Sequence, residues 1–228
     1  TALETRSAYI TPASDGAGIL AAGRERSDMD ANDRDPGTNG LDTGMNDRDA
    51  DGIDLDAFVA ENLARYAETQ GVLPERLDEF GERYRSQGHL TREQLYEIAY
   101  ESSTRSAYHV RKNPERRCRE VTRNARVVDG DFSTIHLITG LAGFKAPTAS
   151  CVVAALDGDR HAVVDTRVWA SLERLGYLDG RKESFDAGDY VTMIEPIREI
   201  ADETGRRAVD VGYALFAHDA HVREGTLH

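Results

Sequence analysis

The chain has 228 residues and carries 41 acidic against 28 basic groups, a net charge of −13, with only three lysines among its cations (Lys112, Lys145, Lys182). Such a length allows one or two compact units with ample core, and no apolar stretch approaches the roughly 18 residues that span a bilayer, nor does a signal-peptide pattern open the chain. A membrane partner is therefore excluded, a cytoplasmic location is expected, and an acidic protein meets nucleic acid only where its charge is locally reversed.

Residues 1–52 are rich in Gly, Asp, Asn, Ser and Thr, with few large apolar residues and no period, which reads as a disordered acidic segment. Within it, Asp47-Arg48-Asp49-Ala50-Asp51-Gly52 imitates the start of a calcium loop, but the twelfth position, where a glutamate belongs, is Phe58. No metal and no cofactor are expected. Residues 53–228 read as the folded domain, long enough for two helical subdomains with a cleft between them.

From Asp54 the pattern is helical throughout. Leu55, Phe58, Val59, Leu63 and Tyr66 share one face, and Gly71 ends the first helix. Pro74 opens a second, with Leu77, Phe80 and Tyr84 inward, and Thr91-x-x-Gln94 is a capping box for a third. Pro114 starts a fourth, whose apolar stripe is Cys118, Val121, Thr122 and Ala125. Ser133 is expected to cap a fifth carrying Ile135, Leu137 and Ile138. Gly143 then reads as its C-cap, and Pro147 stands in the first turn of a sixth, where its missing N–H costs nothing. After an Asp157-Gly158 turn, Asp165 precedes a helix with Val168, Trp169, Leu172 and Leu175, as an N-cap would. Two more helices follow, around Tyr190 to Ile200 and from about Val209 to His221. The expectation is an all-α bundle of about eight or nine helices.

Charge is unevenly spread. Residues 1–60 sum to −8, 61–126 to +2 and 127–228 to −7. Arg105 to Arg126 holds eight basic groups against Glu115 and Glu120, the basic island on an acidic chain, and its bland reading is a solvated helix face. Acidic excess with arginine in place of lysine points to a salt-saturated cytoplasm such as a halophilic archaeon's. The two cysteines, Cys118 and Cys151, read as buried reduced thiols.

One constellation carries chemistry. Leu141-Ala142-Gly143-Phe144-Lys145-Ala146-Pro147-Thr148-Ala149-Ser150, an apolar run to Leu156, then Val163-Val164-Asp165-Thr166-Arg167-Val168-Trp169 resembles the helix-hairpin-helix DNA glycosylase superfamily. That family's pattern is roughly L-x-G-h-G-x-x-T-A, an apolar helix, then V-D-T/R-x-V. His89-Leu90-Thr91 through Ile98, Ser103-Thr104-Arg105, Arg111-Lys112-Asn113 and Val121-Thr122-Arg123-Asn124-Ala125 are similar to a separate branch of helix-hairpin-helix proteins. Together the likeness covers about residues 55–220.

The resemblance implies a hairpin around Leu141, Gly143, Phe144, Lys145 and Thr148 that clamps a phosphate of double-stranded DNA through backbone amides at a helix start. Arg111, Lys112, Arg116 and Arg117 would add cations. Asp165 would stabilise positive charge on a departing sugar. Two positions depart from the family. Lys145 replaces the second hairpin glycine, a strained choice if its φ is positive. Pro147 stands 18 residues before Asp165, where the lyase branch has its nucleophilic lysine. No four-cysteine iron–sulfur cluster follows.

The function implied is a monofunctional glycosylase acting on a flipped base in base-excision repair. The competing reading is a non-catalytic nucleic-acid module in which Asp165 merely caps its helix, and a third is RNA or protein binding through the arginine island. His218-Asp219-Ala220-His221 sets two imidazoles a turn apart without a third ligand and reads as a solvated helix end. Trp169, Tyr108, Tyr177 and Tyr190 read as core or interface, with base stacking as the alternative.

Overall fold

Ten helices make up the regular structure of residues 52–70 and 73–224, the part described by a computed structural model: α1 Leu55–Gln70, α2 Leu73–Gln87, α3 Arg92–Ser102, α4 Thr104–Val110, α5 Glu115–Ala125, α6 Asp131–Thr139, α7 Ala146–Leu156, α8 Thr166–Arg174, α9 Ala187–Thr204 and α10 Ala208–Glu224. There is no strand among the described residues, so the fold is all-α. The expected unstructured segment, and Asp47 to Asp51 of the calcium-like turn with it, lies outside the described residues. No described helix is long and apolar enough to cross a membrane.

The tenth helix is α4, which the periodicity did not reveal. Among its described side chains it turns only Ala107 and Val110 fully inward, too few for a 3.6-residue pattern to stand out. Ser103 separates it from α3 by an extended residue at φ −161°, ψ 105°. The start of α6 is also corrected. It begins at Asp131 rather than after a Ser133 cap, because Gly130 takes φ +86° and Asp131 pairs bidentately with Arg198 of α9 at 2.6 and 2.8 Å. The Thr91–Gln94 capping box forms as expected.

Helix α7 organises the core. Apart from Pro147, all its residues from Ala146 to Leu156 are buried, as an apolar-all-round sequence requires. Helices α2, α3, α6 and α9 pack on it, while α1 and α8 lie against α10. Each fully buried Val, Leu or Ile here contributes about 1.5–3 kcal/mol. Both cysteines are free and buried.

The loop from His161 to Asp165 returns the chain from α7 to α8, and it is tightly held. Ser150 Oγ donates to the Pro147 carbonyl at 2.6 Å and accepts from the Val164 amide at 3.0 Å, tying this loop to the first turn of α7. Gly212 of α10 lets the loop approach closely, since a Cβ there would lie 3.0 Å from Ala162 Cβ and 3.1 Å from Val163 O.

His161, 7% exposed, anchors the other end through Nδ1 and the Tyr190 hydroxyl, 2.9 Å apart. Burial, with Arg198 adding to it, lowers its pKa from 6.5 to about 4. The unfolded chain therefore binds this proton more readily. The stability that the neutral ring contributes is present above pH ~6.5 and lost as pH falls through ~4, on the order of 3 kcal/mol at about 1.4 kcal/mol per tenfold change in proton affinity. Urea titrations at pH 7 and pH 4 should show that loss. In His161→Gln the difference should shrink by a comparable amount.

Candidate functional site

The hairpin between α6 and α7 is built by its neighbours as much as by its own residues. Helix α6 ends at Gly140, so Gly143 is not its cap, which corrects the expectation. Gly143 sits in the turn itself at φ +94°, with its α-carbon pressed on α4: a Cβ would stand 2.9 Å from Ser106 O and from Val110 N. Asn113, 4% exposed, holds the next peptide from both sides. Its Nδ2 donates to Ala142 O at 2.9 Å and its Oδ1 accepts from Ala142 N at 2.9 Å.

Truncating that amide leaves a backbone donor and acceptor unpaired. Asn113→Ala should cost about 2 kcal/mol, read as a fall in melting temperature of roughly 4–8 °C.

Leu141, Phe144 and Thr148, three of the expected contact residues, turn their side chains inward. Leu141 and Phe144 anchor the hairpin in the core, and the Thr148 hydroxyl accepts from Ser102 at 3.4 Å. Only their backbone remains for a ligand. Lys145 is exposed and is the N-cap of α7 at φ −101°, ψ 170°. This is extended backbone, so replacing glycine by lysine brings no strain. Among the described residues, no acceptor meets the amides of Gly143, Lys145, Ala146 or Thr148. Free donors at the start of an eleven-residue helix, beside an exposed ammonium, are what binding an anion would require.

The basic residues divide. Arg111 and Lys112 are exposed and immediately precede Asn113, so the Asn113–Ala142 bonds place them at the hairpin. Arg111 lies over the Tyr96 ring at 4.0 Å. Arg116 and Arg117 are exposed on α5, and no contact brings them to the hairpin. Arg116 instead borders an open surface depression with Glu115, Arg119 and Glu120.

Asp165 caps α8 as expected, its Oδ1 accepting from Arg167 N at 2.9 Å and Val168 N at 3.0 Å. Its second oxygen takes no donor among the described residues and is not sealed in. The carboxylate lines a narrow, mainly apolar pocket with Tyr66, Ser102, Pro147, Cys151, Tyr213 and Phe216. Burial raises its pKa above the ordinary aspartate value, against the two amides and Arg167, which lower it. The pocket brings together α1, α3, α7, α8 and α10, and Pro147, one of its walls, lies two residues beyond Lys145. Its cavity is about 30 Å³, room for about one water molecule.

The other candidates sort plainly. His218 and Asp219 are not a solvated helix end. His218 meets Ser171 Oγ at 3.1 Å and packs edge-on to Phe58. Asp219, 0% exposed, lies among Arg174 at 2.6 Å, Arg223 at 2.7 Å and Arg167 at 3.7 Å. Only His221 is exposed. Trp169 and Tyr190 are core, the indole donating to Gly180 O at 2.6 Å, and Tyr177 packs half-buried against the core. Tyr108, on α4, is 66% exposed. The motif alone did not single out Asn113 or Ser150 as supports, nor Tyr66, Tyr213 and Phe216 as pocket walls, because each acts across the fold.

No family model matches the chain, and no curated protein matches it. Among solved structures, the crystal structure of Methanocaldococcus jannaschii 8-oxoguanine glycosylase/lyase in complex with 15mer DNA containing 8-oxoguanine is similar at 14% identity and a TM-score of 0.41, over 79% of this chain and 87% of that one.

Proposed function

We propose that this chain is a DNA-binding protein of the base-excision-repair kind, a monofunctional N-glycosylase that acts on a base flipped out of duplex DNA. The observation that carries the proposal is Asp165. One of its oxygens is fixed by two amides while the other takes no donor among the described residues, in a pocket whose wall Pro147 belongs to the same helix start as the free hairpin amides. A phosphate on the amides of Gly143, Lys145, Ala146 and Thr148 fixes the backbone without reading sequence, and Lys145, Arg111 and Lys112 offset the acidic surface locally.

In this reading the base enters the pocket between Tyr66 and Phe216, whose rings must part, since the cavity is smaller than a base. The bond between C1′ and the base nitrogen breaks, and its electron pair leaves with the base. The Asp165 carboxylate stabilises the positive charge left on the sugar. Water adds at C1′, its proton passes to solvent through the carboxylate, and the base takes up a proton. Pro147 has no amine to attack C1′, and Lys145 is committed to the surface at the helix cap, so strand cleavage does not follow.

The competing reading is a non-catalytic DNA module. The capping bonds of Asp165 and the small cavity favour it. Incubating the protein at high salt with duplexes that carry alkylated, deaminated or oxidised bases separates the two. Abasic product that disappears in Asp165→Asn with binding intact supports the enzyme, whereas binding without product on any lesion selects the module. An acidic surface with few lysines fits a protein of a salt-rich cytoplasm, so activity should persist at salt concentrations that inhibit basic DNA-binding proteins.

A further inference from the structure

The surface beside the hairpin carries flat side chains that neither the hairpin nor the pocket uses. Tyr100, near the end of α3, is 45% exposed, and Tyr108 on α4 is 66% exposed. Tyr96 stands one turn before Tyr100, with ring centroids 6.0 Å apart and planes at 33°. Over the Tyr96 ring lies the Arg111 guanidinium at 4.0 Å, well within reach of a cation–π contact. Arg111 keeps helical dihedrals at the C-cap of α4, and Tyr108, three residues earlier, therefore shares its side of that helix. The run of flat groups passes from Tyr100 through Tyr96 and Arg111 to Tyr108.

Charge marks the same surface. Arg111 and Lys112 are exposed, and among the described residues no carboxylate pairs with either. On a chain of net charge −13 such cations stand out, since Arg65, Arg83, Arg174, Arg198 and Arg207 each hold an acid. Glu97 and Glu101 of α3 are themselves held by Arg76, at 3.2 and 3.8 Å. Glu93, exposed one turn before Tyr96, offsets only one of the two cations. The next residue after Lys112 is Asn113, whose bonds to Ala142 join this surface to the hairpin.

Resting on the reading of the hairpin as a DNA clamp, though not on base release, we infer that this surface is a stacking platform for unpaired bases of a DNA strand that continues past the hairpin. A duplex gives exposed rings no partner, because its base faces are already stacked on one another. An unpaired base offers a face to any ring or guanidinium plane. Rings that take bases, set among cations that take phosphates, suit a strand that carries both. The ligand class is single-stranded DNA of any sequence, since every base has a face to stack.

The test is fluorescence anisotropy of the full chain at constant salt with three labelled ligands. These are a thymidine oligonucleotide, an oligonucleotide of equal length and charge whose sugars carry no base, and a duplex. The wild type should bind the thymidine strand about tenfold or more tightly than the base-free one. Tyr100→Ala and Tyr108→Ala should each weaken thymidine binding about tenfold and leave the duplex and the base-free strand within about twofold. Tyr100→Phe and Tyr108→Phe keep the ring and should bind like the wild type, which separates stacking from any effect of alanine on the fold. Equal affinity for the thymidine and base-free strands overturns the platform. So does unchanged thymidine binding in the alanine variants, or a loss in the phenylalanine variants as large as in alanine. An RNA strand held more tightly than its DNA counterpart assigns the surface to RNA and overturns it too. In each of these cases duplex binding leaves the hairpin reading in place. A wild type that binds no duplex sinks the hairpin reading, and this assignment with it.

Discussion

Asp165→Asn should lower base release by about 10²–10³-fold, the usual loss when one preorganised group facing developing charge is removed, while duplex binding stays within about twofold. The fold should not suffer, because asparagine caps a helix about as well as aspartate and can still accept from Arg167 N and Val168 N. Stability should rise slightly at neutral pH. Burial raises the folded pKa of Asp165, so the folded chain holds this proton more tightly than the unfolded one. What the group contributes is therefore greatest at low pH and falls as pH rises from about 3.9 through the folded pKa. Asparagine removes that penalty. In the wild type, base release should increase with pH as the carboxylate ionises, with a midpoint above that of an ordinary aspartate. A midpoint at the usual value, or a full rate in the asparagine variant, would remove Asp165 from the chemistry.

Gly143→Ala should strike the hairpin itself. The added Cβ meets Ser106 O and Val110 N, backbone atoms that cannot swing aside, at a φ of +94°. Left-handed strain and overpacking together should cost about 3 kcal/mol, and duplex affinity should fall at least tenfold as the amides lose their arrangement. Lys145→Gln gives the contrast, because its extended backbone tolerates any residue. Its fold should be unchanged, and the slope of log affinity against log salt should become shallower by about 0.9 if the ammonium meets a phosphate. Filter binding across a salt series, with thermal melts of the same samples, reads both variants. Full affinity in folded Gly143→Ala would show that the hairpin is not the clamp.

The sequence by itself determined the helical class, most of the helix positions and the Asp165 cap. These are local: apolar residues repeating every three or four positions, a capping box at Thr91 and Gln94, an aspartate before an apolar stripe, and proline in a first turn. It also located the hairpin, since a glycine and a proline bracket a three-residue link between two helical patterns. Tertiary structure decided the rest. Helix α4 has two inward residues, too few to stand out as a period, and its place against Gly143 is set by packing. The start of α6 is set by an ion pair to a helix more than sixty residues away. Leu141, Phe144 and Thr148 turned their side chains inward, leaving only backbone for a ligand, and Asp219 was gathered into the interior by three arginines. The pocket beside Asp165 takes walls from five helices, so its lining has no signature along the chain. A periodic pattern reports which face of a helix is buried, but only packing decides what that face is buried against.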